Sequence, residues 1–110
     1  EKLVAETAAQ ISSQDFVTGG FHLLKGTIEE AVNQCPKAIL SWEKTIKNPA
    51  VSFLHPEAML RQAGCYQSMN ESEKAKSLYK KLSQDHSQTE AGRKAKAYLR
   101  LIELKAKTSG

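Results

Sequence analysis

Apolar residues recur at intervals of three and four along this chain, and no stretch alternates with the period of a strand. Between Glu1 and Ser13, Leu3, Val4, Ala8 and Ile11 share one helical face that Ala5 and Ala9 widen, which predicts an N-terminal helix over 1–18. Ser12-Ser13-Gln14-Asp15 interrupts that pattern. Gly19-Gly20 supplies a flexible point, and the apolar residues around it, Phe16, Val17 and Phe21, are expected to be buried. A second helix runs from Phe21 to Gln34, with Leu24, Ile28, Ala31 and Val32 at helical spacing. Pro36 fits the first turn of a third helix, where its missing N–H costs nothing. That helix is expected to bury Ala38, Ile39, Trp42 and Ile46. It stops at Asn48-Pro49, because a residue before proline avoids the α region. The connection Ala50–His55 carries Val51, Phe53 and Leu54, too apolar for solvent, so it is expected to fold back.

The second half reads in the same way. Pro56 opens a helix that ends near Met69. Asn70-Glu71-Ser72-Glu73 has the form of a capping box before a helix carrying Ala75, Leu78, Tyr79 and Leu82. Ser87-Gln88-Thr89-Glu90 repeats that logic and starts a last helix running to about Lys107, with Ala91, Ala95, Tyr98, Leu99 and Ile102 on one face. Ala97, Leu101 and Leu104 make a second stripe on that helix, more apolar surface than one packing contact needs. The fold class is all-α, in one domain of 110 residues.

A shift of 37 residues superimposes the two halves. Leu23 falls on Leu60, Gly26 on Ala63, Asn33 on Asn70, Ala38 on Ala75 and Trp42 on Tyr79. In the downstream copy Ala63, Tyr66, Ala75, Tyr79 and Leu82 come after Pro56 at the spacing of a helical hairpin repeat. This resembles the tetratricopeptide repeat (TPR) family, with Met59, Gln62 and Ser87 standing where Trp, Leu and Pro are usual. The resemblance implies a TPR-like α-solenoid of antiparallel helix hairpins. It would hold about two repeats, 19–55 and 56–89, between an N-terminal helix (1–18) and a closing helix (90–107). Glu73-Lys74-Ala75, Tyr79, Lys81-Leu82 and then Ala91, Ala95 and Leu99 resemble bacterial cell-envelope TPR proteins of the TolA-binding and periplasmic chaperone-like types. That likeness implies a non-enzymatic adaptor in the envelope or periplasm; a cytoplasmic TPR-like regulator is the alternative. Carried onto this chain, the family's concave groove would be lined by Leu23, Thr27 and Glu30 in the first repeat. In the second it would be lined by Glu57, Leu60, Gly64, Gln67 and Ser68. Leu60 and Gly64 stand where a carboxylate clamp would need polar groups, so a hydrophobic or basic segment is the expected occupant.

Charge adds one asymmetry. The formal net charge is +4, but residues 1–70 are close to neutral and the excess of Lys and Arg falls in residues 71–110. Lys74, Lys76, Lys80 and Lys81, then Arg93 to Lys107, are read as a solvated face. Nucleic acid, or an anionic lipid or polymer, is the alternative partner for it; nucleic acid is disfavoured because aromatic residues for base stacking are missing apart from Tyr98. No catalytic constellation is legible. His22, His55 and His86 lack the spacing of a metal pair. Glu29 and Glu30 are adjacent and diverge on a helix. Cys35 and Cys65 have no C-x-x-C spacing, and whether they pair is left open. Catalytic residues, metal and cofactor are therefore all expected to be none. The expected partner is a protein or peptide, and the stripe of Leu101 and Leu104 on the last helix is expected to meet the N-terminal helix, a partner chain (a homo-oligomer among the options) or a continuation of the chain. No apolar run spans a bilayer, so membrane attachment is expected only through a segment outside this chain.

Overall fold

The computed structural model describes the backbone of residues 2–109 and the side chains of residues 15–108. The helical elements are α1 (Lys2–Ala31), α2 (Cys35–Ile46), a short 3-10 helix (Pro49–Leu54), α3 (His55–Ser68), α4 (Ser72–Asp85) and α5 (Glu90–Ser109). The chain forms two compact units, Glu1–His55 and Pro56–Gly110. The expected apolar face of Leu3, Val4, Ala8 and Ile11 lies outside the described side chains.

The first unit is an antiparallel hairpin of α1 and α2, closed by the 3-10 helix. Two glycines let the backbones approach. Trp42 is fully buried and fills the notch at Gly26, where a Cβ would run into the indole ring. The indole Nε1 donates to the Leu23 carbonyl at 3.2 Å. Two turns earlier, a Cβ on Gly19 would stand 2.5 Å from Cγ2 of the fully buried Val51, and Thr45 Oγ1 donates to the Gly19 carbonyl at 3.0 Å. Asn48 holds the corner from both ends. Its Oδ1 accepts from the Ala50 amide (3.0 Å) and its Nδ2 donates to the Asp15 carbonyl (2.6 Å). The apolar connection thus folds back onto α1 through Val51.

The second unit comprises α3, α4 and α5. Ala75, Tyr79 and Leu82 form the buried stripe of α4, and Ala91 and Ala95 that of α5. Tyr79 joins all three helices: its ring lies 5.5 Å from that of Tyr98, and its hydroxyl donates to Gln67 Oε1 at 2.9 Å. Thr89 caps α5 by accepting from the Gly92 amide at 2.9 Å. The helix therefore starts two residues later than a Ser87 cap would place it.

One turn recurs in both units. Asn33 ends α1 with φ 62°, the left-handed region that asparagine tolerates. The amides of Asn33 and Gln34 reach back to the carbonyls of Glu30 (3.0 Å) and Glu29 (2.8 Å), which satisfies the helix's last acceptors. After α3, Asn70 has φ 61°, and Asn70 and Glu71 bond to Gln67 (3.1 Å) and Tyr66 (2.8 Å) in the same pattern. Asn70 thus terminates α3 and does not cap α4, whose start carries no side-chain cap bond.

The all-α class stands, but the TPR-like α-solenoid is overturned. The segments expected as a separate N-terminal helix (1–18) and the first helix of a repeat are one continuous helix of 30 residues. It runs through Ser12–Asp15 and through Gly19-Gly20 without a break. Gly19 is a point of close packing against Val51, and not a hinge. Hairpins in a solenoid leave a face open for the next hairpin. Here the first hairpin is closed by its own 3-10 helix, and α5 is an integral part of the second unit, packed on α4. The tetratricopeptide and solenoid descriptions fall with that architecture. So do the bacterial, cell-envelope and periplasmic terms, which rested on the resemblance alone.

Candidate functional site

An α-helix turns 100° per residue, so residues at intervals of three and four share a face. On α1, the side toward α2 and the 3-10 helix carries Gly19 and Gly26, both buried. The opposite side carries Val17, Phe21, Leu24 and Ile28, continued by Val32 just past the last helical residue. All five are exposed, between 56% and 67%, and they fall within an arc of about 80°. Helix α1 therefore packs on α2 and the 3-10 helix by its glycine-lined side, and its large apolar residues lie on the side that those elements leave uncovered.

This reverses the sequence expectation for Phe16, Val17 and Phe21, which are exposed. Helical spacing shows that an apolar face exists, but carries no information on what covers it. In this helix the decisive signal is the pair of glycines at positions 19 and 26, which mark the side of close approach.

The edges of the stripe are nearly neutral. Gly20 and Ala31 border it on one side, and a Cβ on Gly20 would meet only open space. On the other side Lys25 is engaged by Glu29 (3.1 Å) and Ser41 (3.3 Å). The Ser41 hydroxyl donates to Glu29 at 2.5 Å. That bond, helped by the Lys25 ammonium, holds the Glu29 carboxyl below its usual range against the opposing effect of its burial. His22 sits on the packed side, its Nδ1 buried without a hydrogen-bond partner. Burial lowers its pKa, and the charges of Lys44 and Lys25 lower it further.

The residues expected to line a groove occupy two separate helices. On α1, Leu23, Thr27 and Glu30 are half-buried, and the Thr27 hydroxyl is spent on the Leu23 carbonyl at 2.9 Å. On α3, Glu57 pairs with Arg61 at 3.0 Å and Leu60 is half-buried. Gly64 has open space around its Cβ position, and Gln67 is exposed while accepting from Tyr79. Leu101 and Leu104 are exposed on α5, at 61% and 53%, and Ala97 beside them is exposed too.

The second unit also has a cleft of about 340 Å³ beside the α3–α4 turn, lined by Asn70, Ser72, Glu73, Lys76, Ile102 and Lys105 among others. Its charges are of both signs. Both cysteines are disulfide-bonded, so neither is a free thiol. Among the described residues there is no group of three His, Cys, Asp or Glu placed to hold a metal. No described helix is long and apolar enough to cross a membrane. No family model matches the chain, and no curated protein or solved structure matches it.

Proposed function

We propose that this chain is a non-enzymatic protein–protein interaction module that works in an oxidising compartment. The observation that carries the reading is the uncovered apolar stripe Val17–Phe21–Leu24–Ile28–Val32 on α1. The apolar stripe of a helix normally faces a covering element, and apolar patches of several hundred Å² mark interaction surfaces. The compartment is argued from chemistry: disulfides persist where thiols are not kept reduced, and both cysteines here are bonded.

The test is affinity capture with the parent chain and with a Phe21→Glu/Ile28→Glu variant of unchanged helical circular dichroism. The expected result is a bound protein, or a second copy of the chain, held by the parent and lost by the variant. Equal capture by both would overturn the assignment of this face.

A further inference from the structure

The two outer pairs of the α1 stripe are equidistant from a point between Leu24 and Lys25. Reading from either end, Val17 and Val32 are outermost, Phe21 and Ile28 lie inside them, and Leu24 is next to the midpoint. We propose that the occupant of this face is a second copy of the same chain. The proposal rests on the interaction-module reading above and names its partner. In it, two α1 helices lie antiparallel about a two-fold axis between Leu24 and Lys25.

Three observations carry it. A two-fold interface is isologous, so if residue i meets residue j, residue j must meet residue i. Val17 with Val32 and Phe21 with Ile28 meet that condition as apolar contacts, while the position paired with Leu24 is Lys25, which Glu29 holds in an ion pair. Val17 of one copy faces Val32 of the other, Phe21 faces Ile28, and the two Leu24 side chains flank the axis. The intervals of four, three and four from Val17 to Ile28 are those of a helix–helix seam, and Gly20 leaves open space beside it for close approach.

The area is also adequate. Five large side chains, each more than half exposed, make an apolar strip on the order of 500 Å². A standard interface buries about 800 Å² per partner with an apolar share near two-thirds in homodimers, so the strip can supply that share.

Charge then selects α1 over the exposed stripe of α5. The first unit is close to neutral, with five Lys against six Asp and Glu, and the charge nearest its stripe, Lys25, is paired with Glu29. The Leu101–Leu104 stripe lies in the second unit, where 11 Lys and Arg face six Asp and Glu. Two copies meeting there would bring like charges together. A self-pairing of this chain is therefore favoured on α1.

Sedimentation velocity over a wide concentration range tests the proposal. The parent chain is expected at twice its own mass, and Phe21→Glu/Ile28→Glu at the single mass with helicity kept. Leu101→Glu/Leu104→Glu is expected to stay at twice the mass. Leu24→Lys, a single exposed change, replaces the double variant should that one lose its fold. A photo-crosslinker at position 24 is expected to give a covalent dimer joined near Leu24 and Lys25. A parent chain at the single mass throughout, or a double variant still paired, overturns the second copy. If that crosslinker instead joins the chain to another protein in an extract, only the choice of partner fails. If it joins nothing, the interaction-module reading fails with it.

Discussion

Gly19 and Gly20 are neighbours in the same helix, and replacing each by alanine is expected to move stability in opposite directions. Inside a helix, alanine is favoured over glycine by about 1 kcal/mol. At Gly20 nothing stands within 4 Å of the new Cβ, so Gly20→Ala keeps the gain and stabilises by about 0.5–1 kcal/mol. At Gly19 the new methyl would lie 2.5 and 2.8 Å from the two Cγ atoms of Val51 and 3.1 Å from Asn48 Nδ2. Val51 is fully buried and β-branched, so it has no spare rotamer to retreat into. Overpacking of this kind costs about 1–3 kcal/mol. Displacing the Asn48 bond to Asp15 adds about 1 kcal/mol. After the propensity gain is subtracted, Gly19→Ala should destabilise by about 1–3 kcal/mol, which sets it about 1.5–4 kcal/mol away from its neighbour. Urea denaturation followed by far-ultraviolet circular dichroism measures both variants. The double variant Gly19→Ala/Val51→Ala should be more stable than the sum of its parts by at least about 1 kcal/mol, because truncating Val51 vacates the space the new methyl needs. If Gly19→Ala stabilises as much as Gly20→Ala, the docking of the 3-10 helix on α1 is wrong.

Three further outcomes are expected. Gly92→Ala would place a Cβ against the His86 backbone carbonyl, which cannot swing aside, so a loss of about 2 kcal/mol or more is expected in the same denaturation assay. Thiol titration in denaturant should find no reactive thiol without reductant and two after reduction, one per cysteine; reduction should lower stability by about 2–4 kcal/mol. The depressed pKa of His22 means that the unfolded chain takes up a proton on the acid side of the ordinary histidine value, near 6.5, before the folded chain does. Its contribution to stability is thus complete above that value and is lost as pH falls below it. His22→Gln should flatten that part of the stability–pH curve, and an unchanged curve would place the titration elsewhere.

The helices are legible in the sequence because their apolar intervals are local, and the stripes drawn from that spacing include Ala38, Trp42, Ala75, Tyr79 and Leu82, which are buried. The ends of α1 and its faces are not legible. Gly19-Gly20 carries the composition of a break. Only the position of Val51, some thirty residues further along, shows that Gly19 belongs to a packed helix interior. Leu24 and Ile28 have the same periodicity as core residues, and their exposure depends on α2 taking the other side. Asn70 has the signature of a helix start because a glutamate stands at the right distance beyond it. The backbone uses it to stop the preceding helix, as it uses Asn33. The candidate site is thus present in the sequence as a pattern, but the pattern does not say which side of the helix stays uncovered.

Trp42 is the only tryptophan, and it lies in the first unit, while Tyr66, Tyr79 and Tyr98, all three tyrosines, lie in the second. The chain therefore carries one optical reporter for each unit. Indole fluorescence tracks the seating of Trp42 between α2 and Gly26, and tyrosine signals track the α3–α4–α5 packing around Tyr79. Melting curves recorded at the two sets of wavelengths will superimpose if the units unfold together and separate if they do not, with no label added.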